Sequence, residues 1–188
     1  INVHNKYEGR IIEEIAETEN KHPIDVFLDI SLSENLSSRW VTPPQKIEME
    51  AMSRLANHPF SVPGLSDGGA HMKFLTAAIY PTYFLGTLCR DNNVMSLEKA
   101  HWKLSAYPAQ VAGIRDRGHL TEGFGADIVI YDLDELDYGP MERLQDFPAD
   151  DWRLVQRPKG YKYIIVNGVV TFTDDSKCTG ETPGRFLR

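Results

Sequence analysis

The chain has 188 residues and a formal net charge of −7, from 20 Lys and Arg against 27 Asp and Glu. Hydrophobic residues at 41% and charged residues at 25% are ordinary for a globular protein. No Lys/Arg stripe is present to release counterions, which excludes a nucleic-acid partner; the longest apolar stretch, Phe74 to Leu88, is broken by Pro81 and too short to span a bilayer.

Apolar residues at helical spacing, Ile11, Ile12, Ile15 and Ala16, predict a first helix between Gly9 and Asn20. Pro23 suits the first turn of a second helix with Ile24, Phe27, Leu28 and Ser31 inward. A loop through Arg39 and Trp40 leads to Pro43-Pro44, and a third helix comes next with Ile47, Ala51, Met52 and Leu55 inward, ending before Pro59. Phe60 to Leu65 reads as a short strand running into the glycine-rich turn Ser66-Asp67-Gly68-Gly69-Ala70-His71. Phe74 to Arg90 reads as a helical stretch bent or restarted at Pro81. Ser96 is a good N-cap for a helix from Leu97 to about Ser105, and Pro108 opens a further turn or two. Beyond Gly113, turns give way to a strand at Ala126–Tyr131. A hairpin is predicted after it, Tyr163–Val166 and Val169–Phe172, around the strong turn signal Asn167-Gly168.

The histidines at 4, 22, 58, 71, 101 and 119 include no pair two to four residues apart, so the chain carries no His-x-His or His-Glu-x-x-His zinc motif. Cys89 and Cys178 form neither a zinc ribbon nor a disulfide framework. With no basic-then-apolar leader after Ile1, the expectation is a reduced, cytoplasmic chain. Asp67 stands out, because α/β proteins place functional groups directly after a short apolar strand. Gly68 and Gly69 permit a tight turn beside its carboxylate. The same residue equally suits an Asx turn or a helix cap. His71 and Lys73 can face the same cleft, with Lys73 able to meet an anionic group; both also suit a solvated surface.

In order along the chain, these pieces resemble the C-terminal part of the amidohydrolase superfamily, within it the N-acyl-D-amino-acid deacylase (D-aminoacylase-like) branch. The matching segments are Gly9–Ala16 with Pro23–Asp29, Gly64-Leu65-Ser66-Asp67-Gly68-Gly69-Ala70-His71, Tyr80–Gly86, Ser96–Ala100 through Pro108-Ala109, Arg115-Asp116-Arg117-Gly118, Gly123–Asp132, Ile165–Gly168 and Thr179–Arg185. The resemblance implies an α/β fold: the C-terminal βα units of a (β/α)8 metallohydrolase barrel at 1–112, plus part of a small β-sandwich domain at 113–188. At 188 residues the chain is shorter than a closed barrel of roughly 250.

By the same resemblance, Asp67 is the proton shuttle of a zinc-dependent hydrolase that cleaves the amide of a small N-acyl substrate. Ser66, Gly68, His71 and Lys73 are the candidate substrate-binding residues. The zinc ligands are expected upstream of Ile1, and no metal ligand is assigned within the chain. Between Asp67 and Leu88 there is no arginine to hold a substrate carboxylate, only Lys73. The alternatives are a cyclic-amide hydrolase of the same superfamily, or a non-catalytic interaction scaffold. The expectation for the isolated chain is inactivity, with self-association or a missing N-terminal portion covering its exposed face.

Overall fold

Residues 7–41, 48–69, 71–174 and 177–187 are described by a computed structural model. The expectations for Pro43-Pro44, Ile47 and Ala70 lie outside these residues. The chain divides into two compact units, Ile1–Ile47 and Glu48–Arg188.

In the first unit, α1 (Ile12–Glu19) ends at Asn20, whose φ of 51° turns the chain left-handed; the Lys21 N–H then bonds the Ala16 carbonyl at 3.0 Å. His22 caps α2 (Pro23–Ser33) by accepting the Ile24 N–H on Nδ1 at 3.2 Å, with Pro23 in the first turn. Ile15 and Ala16 of α1 pack on Val26 and Ile30 of α2. This corrects the expected inward face of α2. Ile24, Phe27 and Leu28 are exposed, while Val26, Ile30 and the expected Ser31 are buried. Apolar residues line both sides of this helix, so periodicity alone does not identify the side that meets α1.

The second unit begins with α3 (Met49–Asn57). Met49, Met52 and Ala56 pack against the core, whereas Leu55, expected inward, is 65% exposed. The expected strand at Phe60–Leu65 does not form: Pro59 and Phe60 make a turn and residues 61–66 are irregular. A strand exists only when a neighbour completes its ladder, and among the described residues nothing pairs with this segment. Phe60 and Leu65 stand 84% and 83% exposed.

The helical stretch expected from Phe74 starts at a 3-10 turn, Ala77–Ile79, leaving Phe74 exposed. As expected of a restart at Pro81, α4 (Tyr80–Tyr83) carries that proline in its first turn. It runs into a π-helix, Phe84–Asp91, that buries Phe84, Leu85, Leu88 and Cys89. Helix α5 (Leu97–Leu104) is capped as expected, Ser96 Oγ accepting the Lys99 N–H at 3.3 Å. Helix α6 (Ala106–Val111) is next. The core joins the π-helix to Met95, Ala100 and Leu136.

Four antiparallel strands form the main sheet in the order β1-β6-β7-β8: β1 (Ile128–Tyr131), β6 (Tyr161–Val166), β7 (Val169–Thr173) and β8 (Lys177–Cys178). Val166 faces Val169 across the Asn167-Gly168 turn, whose φ values of 47° and 81° are the two positive angles of a type I′ hairpin. Two ribbons complete the unit. They are β2 (Asp137–Tyr138) with β5 (Pro158–Lys159), and β3 (Glu142–Phe147) with β4 (Asp151–Val155). Neither ribbon was expected from the sequence.

Gly160, between β5 and β6, is buried at φ +83°. A Cβ there would lie 2.7 Å from the Leu136 backbone nitrogen. No helix among the described residues is long and apolar enough to cross a membrane.

Candidate functional site

Asp67 sits in an exposed turn with φ 51°, a left-handed conformation that aspartate tolerates better than most residues. Two bonds fix the turn. Ser66 Oγ accepts the Gly68 N–H at 3.1 Å, and the Asp67 carbonyl accepts the His71 N–H at 3.2 Å. Both use atoms other than the Asp67 carboxylate, so the backbone is set while the carboxylate faces solvent. Gly69, at φ +105° with no atom within 4 Å of where a Cβ would lie, leaves room beside it.

The other candidates divide. Ser66 and Gly68 line a cavity of about 440 Å³, together with Met72, Leu75, Leu154, Tyr161 and Phe172. Asp67, His71 and Lys73 are not among its lining residues. His71 is exposed and rests its ring on Phe74, centroids 4.9 Å apart. Lys73 meets Asp151 on β4, with Nζ 2.8 and 2.6 Å from the two carboxylate oxygens, and lies 5.6 Å from the Trp152 ring. Its charge is compensated within the unit.

The cavity is walled on one side by the segment after Asp67 and on the other by strands. The Leu154 N–H bonds the Met72 carbonyl at 2.6 Å, Thr76 bonds Gln156, and Thr82 Oγ1 lies 2.8 Å from the Tyr161 hydroxyl. Burial pushes the Tyr161 phenol above its ordinary value, and the bond with Thr82 acts in the opposite sense.

Two further charged groups of this unit were not singled out in the sequence. Asp151 is held below the usual carboxylate range, first by the Lys73 hydrogen bond and then by the Trp152 N–H. Lys103, on α5, is fully buried; desolvation, then the like charge of Lys99, pushes its ammonium below the usual lysine value. A lysine on an amphipathic helix ordinarily faces water, and Asp151 lies far along the chain from Lys73, so neither leaves a local signal.

Zinc was expected from the resemblance. Among the described residues no three His, Cys, Asp or Glu side chains gather as a metal ion requires, so these residues do not furnish a ligand set.

Comparison with known proteins agrees with the order of motifs. Residues 9–172 match the model of an amidohydrolase family. The N-acyl-D-glutamate deacylase of Alcaligenes xylosoxydans xylosoxydans is 33% identical over 108 residues, covering 57% of this chain and 20% of the relative. Among solved structures, a D-aminoacylase described for its binuclear metal center aligns with a TM-score of 0.58 at 24% identity, over 95% of this chain and 34% of that one. The N-acyl-D-glutamate deacylase of Bordetella bronchiseptica, complexed with zinc and a phosphonate inhibitor, aligns at 0.53 and 21%, over 93% of this chain and 34% of that one. The chain thus spans about a fifth of the curated relative and a third of each solved one. With a family match running from the first helix to the second strand of the hairpin, this chain belongs to the amidohydrolase family.

Proposed function

We propose that this chain is the C-terminal part of a zinc-dependent amidohydrolase that hydrolyses the amide of a small N-acyl substrate, an N-acyl-D-amino acid or a close relative. In this reading residues 1–112 contribute the last βα units of a (β/α)8 barrel, and residues 113–188 part of a small β-sandwich domain. The observation that carries it is the Asp67 turn: an exposed carboxylate on a backbone fixed from both sides, within a chain matched by the family over residues 9–172.

Amide hydrolysis consumes one water. Its oxygen joins the carbonyl carbon, the C–N bond breaks, and the departing nitrogen gains a proton. Asp67 takes the proton from the attacking water and delivers it to the leaving amine, as general base and then general acid. The metal ligands belong to polypeptide outside these residues. The exposed Phe60 and Leu65, on the segment entering the Asp67 turn, support cover by that polypeptide or by a second copy. The partner in solution is a small molecule.

The test is Asp67→Asn in the longest polypeptide that the reading frame encodes, assayed against N-acyl-D-amino acids. General acid–base catalysis contributes about 10²–10⁴-fold, so kcat falls by that factor while KM changes little. Wild-type turnover in the variant overturns the assignment. The 188-residue chain alone is expected to hydrolyse none of these substrates.

A further inference from the structure

Lys103 is buried, and among the described residues no carboxylate pairs with it. Its Nζ donates to the backbone carbonyls of His58 and Ser61, both at 2.6 Å, and lies 3.3 Å from Ser61 Oγ. The flanking aromatics enclose it: Nζ is 5.8 Å from the Trp102 ring and 5.2 Å from the Tyr107 ring, and the two rings stack with centroids 4.4 Å apart. Tyr107 in turn donates its hydroxyl to the Pro59 carbonyl at 2.8 Å. One turn earlier on α5, Lys99 Nζ donates to Asn57 Oδ1 at 2.7 Å. The end of α3 and the turn after it are therefore held from α5 and α6 at Asn57, His58, Pro59 and Ser61.

Among the described residues, positions 62–65 make no hydrogen bond, and the next fixed point is the Ser66–Gly68 contact beside Asp67. An ammonium without a counter-ion is expensive to bury, and an apolar residue of similar length fills such a space at lower cost. Such a residue cannot gather two carbonyls to one point.

We propose that Lys103 is a positioning residue for the reaction: its buried ammonium fixes the His58–Ser61 turn and so sets where the segment carrying Asp67 begins. The inference rests on Asp67 being the proton shuttle, and it assigns Lys103 no contact with substrate.

Two readouts test it, amide hydrogen exchange on the 188-residue chain and steady-state kinetics on the longest in-frame polypeptide. In Lys103→Met, exchange accelerates at the hydrogen-bonded amides of His58, Phe60, Ser61 and Gly68 while β6 keeps its wild-type protection. A displacement of about 1 Å costs near 10²-fold in rate, so kcat falls by about 10–100-fold with KM little changed. Tyr107→Phe gives the same pattern to a smaller degree, since it removes one carbonyl contact and retains the ring; it decides the matter if Lys103→Met does not fold. The proposal is overturned if exchange at these four amides and kcat stay at wild-type values. It is equally overturned if protection is lost throughout and activity merely tracks the folded fraction. Should the wild-type polypeptide hydrolyse no N-acyl substrate, the shuttle reading falls and the positioning role falls with it; the exchange pattern then shows separately whether Lys103 holds the turn.

Discussion

Lys73 and Asp151 form a two-oxygen ion pair between the segment after Asp67 and strand β4, at 2.8 and 2.6 Å. A cation that reads in sequence as a ready site for a substrate anion is thus already engaged. The pair's side chains are 50% and 41% exposed, so solvent and salt weaken it. The Asp151 carboxyl is nonetheless lowered from 3.8, with the Lys73 hydrogen bond the largest cause. A group depressed in the folded state contributes stability above its unfolded value and loses it as pH falls through the folded one. Lys73→Met is expected to raise the Asp151 midpoint toward 3.8, read by carbon NMR of the carboxyl. The Trp152 N–H, 2.9 Å from Oδ1, still keeps the midpoint below that value. An unmoved midpoint contradicts the pairing.

Arg117 and Gly125 share one space. The Arg117 side chain, 12% exposed, reaches Asp127 with Nε at 3.0 Å and Asn167 Oδ1 with Nη2 at 2.7 Å. A Cβ on Gly125 would lie 1.1 Å from its Nη1. Gly125→Ala must therefore expel the guanidinium and lose the contacts that Arg117→Met removes directly. Hydrogen bonds to charged groups contribute about 1.5–3 kcal/mol, so each single variant is expected to lose about 2 kcal/mol in urea unfolding. The double variant should lose little more than either. Strict additivity would mean that the two residues act separately.

Gly160 meets backbone, which cannot swing aside as a side chain can. Its positive φ and the 2.7 Å approach to Leu136 N act together in Gly160→Ala. Strain and overpacking each cost about 1–3 kcal/mol, and at about 2–4 °C per kcal/mol the unfolding midpoint is expected to drop by roughly 4–24 °C. Gly64→Ala, with no atom within 4 Å of the new carbon, is the control; equal drops in the two variants would refute the close-approach argument.

Local chemistry accounts for what the sequence made readable. Ser96 satisfies a free N–H of α5, and Asn167-Gly168 accepts two positive φ angles; each outcome depends on a few adjacent residues. Phe60–Leu65 is apolar enough for a strand, yet a strand is a property of its neighbours and none is present among the described residues. Ribbon β3–β4 hides behind charge: Asp146 and Arg153 pair across it at 2.7 Å, so its strands lack a clean apolar alternation. Asp67 stands out in the sequence through its glycines and the order of the surrounding motifs, and its catalytic role is a proposal. Lys103 does not stand out, because a helical lysine looks the same in sequence whether it faces water or two carbonyl oxygens.

The hairpin turn also bears on how this polypeptide ages. Asn-Gly is the dipeptide in which the succeeding backbone nitrogen most readily attacks the asparagine Cγ, closing a succinimide and releasing ammonia. Here both reacting groups are engaged. The Gly168 N–H bonds the Ala126 carbonyl at 2.9 Å, and the Asn167 amide spans Arg117 at 2.7 Å and the Pro183 carbonyl at 2.8 Å. Folding thus restrains the ring closure that the same two residues invite in an open chain, and chemical damage at this turn becomes a record of time spent unfolded.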